Sequence, residues 1–339
     1  MLKEDFDTLV PASGVLDTAD TRRGFVKRAV GTGFAAAALP VVAQTVVKTD
    51  STGLVAGEVT IPVGDFKMPA YRAAPQGKTG APVVLVVSEI FGVHEYIADV
   101  ARRFAKAGYF AIAPEMFVRQ GDPTEYGEIA RLIAEVISKV PDAQVMADLD
   151  ATLAWAKGQG ADTSKAGVTG FCWGGRITWL YSAHNPGIKA GVAWYGRLVG
   201  QPNPLQPANP VDVAGRLNGP VLGLYGEKDT GIPLDTVERM KAALAAGSAA
   251  AKKSEFVIYP DAPHAFHADY RPTPAGARAA AQRTTSTCRL LCVSTFCVSL
   301  PSSSALTPRR PCEAMTTRSQ VCALPWSRMA SQGCRASTV

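Results

Sequence analysis

Six residues, Gly170-Phe171-Cys172-Trp173-Gly174-Gly175, constrain this chain more than any other stretch. A short apolar run, Ala166 to Thr169, precedes them, and a helical pattern with Ile177, Leu180 and Tyr181 on one face follows. That is a strand, a sharp turn and a helix. In a nucleophile elbow the turn residue is held in a strained conformation with its side chain exposed. The flanking glycines are needed because strand and helix approach too closely for a Cβ. Cys172 is then the candidate nucleophile. The helix start behind it supplies backbone N–H groups and a positive dipole end, which can hold an oxyanion and lower a thiol pKa. The motif alone does not decide the matter, since a cysteine among glycines at a strand end is often only a small buried hydrophobe.

The rest of the chain supplies a frame for such an elbow. Two extended runs, 58–63 and 66–71, flank Gly64-Asp65 and read as a β-hairpin. Pro82 to Val87 is a continuous apolar run, as expected of a strand buried on both faces. A helix with Ile97, Val100 and Phe104 on one stripe ends at Gly108, and Tyr109 to Pro114 is the next strand. After the long segment 120–140, Met146, Leu149, Leu153 and Ala156 mark a helix whose stripe is core. Past the elbow come strands at 188–195, 220–225 and 255–259, with a helix carrying Val237, Met240 and Leu244 between the last two. This alternation predicts an α/β fold with a mostly parallel sheet covered by helices on both faces, and chemistry at the C-terminal strand ends.

Three of those strand ends carry reactive side chains: Cys172, then Asp229, then His264. Nucleophile, acid and histidine in that order is the order of the α/β-hydrolases. Each has an ordinary explanation, since an Asp after Gly is a common turn former and a loop histidine is commonly surface. Their coincidence in order and placement favours a catalytic set. His267, close behind His264, is the rival base, and Glu227 is the rival acid; His94 falls at a helix start and His184 at a helix stop.

At these residues the sequence resembles the dienelactone hydrolase (carboxymethylenebutenolidase) family of the α/β-hydrolase fold, over roughly residues 50 to 272. Besides the elbow, the resemblance rests on Glu89-Ile90-Phe91-Gly92, on Pro114 to Gly121, on Gly226-Glu227-Lys228-Asp229 and on His264-Ala265-Phe266. It implies cofactor-independent hydrolysis of a strained lactone, with no metal. Cys172 would attack the carbonyl, His264 would move the proton and Asp229 would fix the imidazole. The backbone N–H groups of Ile90 and Trp173 would form the oxyanion hole, and Glu89 would lie beside the resting thiol. Arg119 and Arg271 would hold a substrate carboxylate, a task that suits a planar guanidinium. A non-enzymatic α/β protein, or an inactive relative with a damaged C-terminus, is the competing reading.

Both ends of the chain depart from this domain, which is expected at 44–274. Near the start, Arg22-Arg23-Gly24-Phe25 precedes a weakly apolar, Ala- and Gly-rich run to Ala43. The segment 1–43 resembles a twin-arginine export signal, too short and interrupted for a comfortable membrane span. The expected partners are the export machinery and a small lactone or ester, and the expected location is periplasmic or secreted. From residue 272 onward the chain holds eight Arg against one acidic residue, Glu313, a surplus larger than the whole chain's net charge of +6. The basic balance therefore belongs to the tail and is no nucleic-acid footprint. Six of the seven cysteines also lie there, between Cys288 and Cys334, without His and without paired Cys-x-x-Cys spacing, so zinc is not indicated; six is even and a disulfide module is conceivable, but no strand or turn framework supports it. Residues 275–339 are expected to be a disordered tail, and their abrupt change of composition fits translation in a different reading frame. Cys172, with no cysteine partner before residue 288, is expected to be a free thiol.

Overall fold

A computed structural model describes residues 47–270; the arginine pair at 22 and 23, Arg271 and the tail lie outside the described residues. Eight strands form one sheet in the order β1-β2-β4-β3-β5-β6-β7-β8. The strands are β1 (Leu54–Val63), β2 (Phe66–Pro75), β3 (Pro82–Val87), β4 (Phe110–Pro114), β5 (Asp162–Phe171), β6 (Ile188–Trp194), β7 (Val221–Gly226) and β8 (Glu255–Tyr259). β1 and β2 pair antiparallel, as do β2 and β4, and every other pairing is parallel. This is the α/β-hydrolase fold. The main helices are α1 (Glu95–Lys106), α2 (Ile129–Glu135), α3 (Asp142–Gly158), α4 (Trp173–His184), α5 (Pro210–Val213) and α6 (Leu234–Ala245).

The hairpin runs four residues further than expected at each outer end, because Leu54 to Gly57 continue the ladder against Arg72 to Pro75. Gly57, Ala73 and Ala74 carry little strand preference of their own, so cross-strand pairing decides there. β5 likewise begins at Asp162, ahead of the apolar run, and the segment 120–140 contains the short α2. β3 matches its apolar sequence: residues 83–87 are buried throughout, as a strand covered on both faces requires.

Topology places the site. From β3 the chain crosses through α1 to β4 on one side, then returns through α3 to β5 on the other. Right-handed crossovers in opposite directions put α1 on one face and α3, α4 and α6 on the other. The crevice lies where the direction reverses, beyond the carboxyl ends of β3 and β5. Those two strand ends lead into Glu89 and Cys172.

Candidate active site

The elbow has the geometry its glycines suggest. Cys172 stands between β5 and α4 at φ 53°, ψ −112°, a region that costs a non-glycine residue on the order of 1–3 kcal/mol. Its backbone N–H donates to Trp194 O at 3.0 Å, while its carbonyl accepts from the N–H groups of Gly175 and Arg176. The strained residue is thus fixed by β6 on one side and by the first turn of α4 on the other. A Cβ on Gly170 would lie 2.1 Å from Gly174 O, and one on Gly174 would lie 2.3 Å from Val87 O. Cys172 is half-buried and makes no disulfide.

His264 sits in the loop after β8 and turns Nδ1 to Asp229 Oδ2 at 2.7 Å. Asp229, in the turn after β7, is almost fully buried, and its other oxygen accepts from the Gly231 N–H at 3.1 Å. Burial opposes charge on the imidazole. Even so, the Cys172 and Asp229 charges and the hydrogen bond to Asp229 prevail, lifting its pKa to about 10. The ring is thus held by the carboxylate at Nδ1 and feels the charge of the thiol. Tyr195, itself at φ 37°, packs edge-on against that ring with centroids 5.2 Å apart.

The two rivals are engaged elsewhere. His267 shares a hydrogen bond through Nδ1 with the Tyr96 hydroxyl and packs 4.3 Å from Trp194. Burial, with the Arg103 cation adding, pushes its pKa down to about 3, so it stays neutral. Glu227 accepts from the Asp261 N–H at 3.1 Å and is exposed.

Glu89 is buried, and its Oε1 accepts from the Tyr270 hydroxyl at 2.9 Å, with His94 Nε2 at 3.4 Å. No hydrogen bond joins it to Cys172 among the described residues. Ile90 follows it as a buried residue in the turn beyond β3. In that turn Gly92 adopts φ +77° beside the Glu115 carboxylate, whose Oε2 accepts from the Val93 N–H at 2.8 Å. Trp173, the first residue of α4, packs against Phe117 at 4.9 Å. A helix start leaves its N–H without an intrahelical acceptor.

Arg119 is engaged within the fold. Its terminal nitrogens fork onto Asp148 of α3 at 2.6 and 2.8 Å, and its guanidinium lies over the Phe66 ring at 4.1 Å. Asp148 is fully buried, so releasing Arg119 to a ligand would strand a buried carboxylate. Arg271 lies outside the described residues.

Three nearby residues had no role in the sequence reading. His94 and Tyr270 hold Glu89, and Arg197 stands three residues past the end of β6 with its side chain against Gly200. Only Arg197 had a sequence signal, its place just beyond a parallel strand.

The fold and elbow define an α/β-hydrolase-fold enzyme with its candidate nucleophile at the topological switch point. Residues 68–292 match the sequence model of the dienelactone hydrolase family, and the chain belongs to that family of carboxylic ester hydrolases. A provisionally named carboxymethylenebutenolidase of Methylorubrum extorquens is 60% identical over 257 residues, covering 76% of this chain and 87% of that protein. A crystal structure of a provisionally named dienelactone hydrolase from Klebsiella pneumoniae subsp. pneumoniae superimposes with a TM-score of 0.67 at 53% identity. It covers 70% of this chain and 98% of that one. A Bradyrhizobium protein, provisionally named a 2-oxo-3-(5-oxofuran-2-ylidene)propanoate lactonase, is 32% identical over 205 residues, 60% of this chain and 80% of its own.

Proposed function

We propose that this chain hydrolyses a lactone or related ester with Cys172 as nucleophile, His264 as general base and acid, and Asp229 as the group that orients the imidazole. The observation that carries it is His264, held at Nδ1 by buried Asp229 in the loop after β8, at the same sheet end as the strained Cys172. In this reaction Sγ attacks the carbonyl carbon, and the N–H groups of Ile90 and Trp173 receive the developing oxyanion. As the ring C–O bond breaks, His264 protonates the departing oxygen. It then takes a proton from the water that attacks the thioester, and the thiol leaves regenerated. The step needs no cofactor. Glu89, buried beside the first strand end, is assigned to controlling the local charge around the resting thiol.

The carboxylate-bearing lactone in the name of the Bradyrhizobium relative supports a charged substrate. The Arg22-Arg23 motif supports twin-arginine export and action outside the cytoplasm. The direct test is alkylation: iodoacetamide should label Cys172 stoichiometrically, a carboxylated lactone should suppress the labelling, and Cys172→Ala should abolish hydrolysis while retaining the native melting temperature. Hydrolysis at the normal rate by that folded variant would reject Cys172.

A further inference from the structure

His94 is a buried imidazole that the reaction leaves without a task. It occupies the residue before α1, a position whose side chain ordinarily accepts from the free N–H groups of a helix start, yet it makes no such bond. The ring turns back instead and places Nε2 3.4 Å from Glu89 Oε1, the same oxygen that accepts from the Tyr270 hydroxyl. Three rings enclose it: Tyr96 stacked at 5.9 Å, Tyr270 edge-on at 5.5 Å and Phe91 edge-on at 6.5 Å. His94 and Glu89 are both buried. Nδ1 and Glu89 Oε2 have no hydrogen-bond partner among the described residues, and the Nε2 contact is a close approach to the carboxylate rather than an aligned hydrogen bond. Packing alone would be better served by an aliphatic side chain, which carries no polar atoms to desolvate.

The backbone between these two side chains gives the histidine a purpose. The β3–β5 ladder stops at the pair Val87 and Gly170, so Glu89 stands two residues past the last sheet pairing. From Glu89 to Gly92 the backbone makes no hydrogen bond to other backbone groups among the described residues, and the next N–H, that of Val93, goes to Glu115. The Glu89–Ile90 peptide is therefore oriented by the contacts of the Glu89 side chain and not by the sheet. We propose that His94 is a positioning residue: by closing the turn from Glu89 to α1 against the Glu89 carboxylate, it fixes the Ile90 N–H that receives the oxyanion. The proposal rests on the reading of Cys172 as nucleophile and Ile90 as oxyanion donor. With its proton on Nε2 the ring presents a donor to Oε1 alongside the Tyr270 hydroxyl, so the carboxylate is held from the start of α1 and from the segment beyond His264 together. An oxyanion donor acts only within about 2.7–3.1 Å of its target. Upstream, Ser88 O packs against the elbow, 2.6 Å from where a Cβ on Gly174 would stand, so a turn released at Glu89 would shift against a fixed thiol.

The test separates a reaction that needs the oxyanion hole from one that does not, on the full chain. Hydrolysis of p-nitrophenyl acetate builds an oxyanion, whereas iodoacetamide alkylates Sγ at a tetrahedral carbon, with loss of iodide, and builds none. His94→Phe keeps an enclosed ring and removes both ring nitrogens. Its kcat should fall by at least about tenfold, short of the ~10²–10³ that outright loss of a donor costs, with KM within about twofold of wild type. The alkylation rate at Cys172 should stay at its wild-type value. His94→Gln, which restores an N–H toward the carboxylate, should recover most of the loss. If His94→Phe does not fold, Tyr270→Phe removes the other contact to the same oxygen by deleting one atom, and the same split is expected. Parallel losses of hydrolysis and alkylation, or wild-type kcat in the folded variant, overturn the assignment. If Cys172→Ala retains hydrolysis, the nucleophile reading fails; loss there beside wild-type kcat in His94→Phe means that the His94 assignment alone has failed.

Discussion

Replacing Gly174 by alanine adds one methyl group where the elbow has no room. The new Cβ would lie 2.3 Å from Val87 O and 2.6 Å from Ser88 O. Carbon and oxygen normally stay about 3.3 Å or more apart, so helix and strand would have to separate by roughly 1 Å. Neither side yields cheaply. Val87 closes β3, which is paired with β4 and β5, and α4 starts at the residue before Gly174. Overpacking against movable side chains costs about 1–3 kcal/mol; against backbone on both sides we expect the upper end or beyond, about 3 kcal/mol. For a domain of this size that lowers Tm by about 6–12 °C. Gly158 is the control, since it ends α3 with nothing within 4 Å of a built Cβ and no positive φ. Alanine there should leave stability equal or raise it by up to about 1 kcal/mol. Thermal unfolding followed by circular dichroism measures both variants. If the two melt alike, steric approach is not what fixes glycine at position 174, and the account of the elbow fails.

The histidines should separate by assay type. His264→Ala should lower kcat by about 10² to 10⁴, whereas His267→Ala, which removes a ring packed on Trp194, should lower Tm by a few degrees and retain the wild-type pH–rate profile. The opposite pattern would move the base to His267. The pH dependence of stability tests Asp229. Because the His264 pKa is raised to about 10, its stabilising contribution is full below about 6.5 and is lost as pH rises through 10. Asp229→Asn removes one of the charges that raise it, so the alkaline loss of Tm should begin at lower pH than in the wild type. Identical Tm profiles between pH 7 and 10.5 would refute the coupling.

What the sequence made legible was local or periodic. The elbow could be read because its strain, its glycines and its helix start lie within six residues, and β3 because a doubly buried strand must be apolar along its length. Partnership across the fold was not legible. Arg119 and Asp148 are 29 residues apart, and nothing in Pro114 to Gly121 marks the aspartate on α3 that engages the arginine. The choice between His264 and His267 was also open, since they stand three residues apart. Ala265 separates the two rings: at φ 57° it turns the chain between them, leaving one toward Asp229 and the other toward Tyr96 and Trp194. A left-handed alanine carries no sequence signature.

The loop that carries His264 is itself anchored by charges well away from the thiol. Four residues beyond Ala265, Asp269 is buried and accepts from Arg103 of α1 at 3.0 Å and from the Val47 N–H at 3.2 Å. Burial raises the Asp269 pKa first, and Arg103 works against that shift. Arg103 is shared with Asp99, also buried, whose Oδ1 accepts from the Thr49 N–H at 2.5 Å. Tyr270, the next residue, donates to Glu89 at the end of β3. Losing one partner of such a buried pair costs about 3–5 kcal/mol because the other is left charged and unmatched, whereas its intact worth over an apolar pair is small. The network therefore contributes placement more than net stability. It fixes α1, the segment beginning at Val47, the β3 end and the histidine loop in a single register, and the Asp229 contact at 2.7 Å depends on that register. The candidate site is thus built jointly by four strand ends and by a charged lattice behind one of them, which is why the residues that position it are spread from Val47 to Tyr270 although the proposed chemistry requires only three.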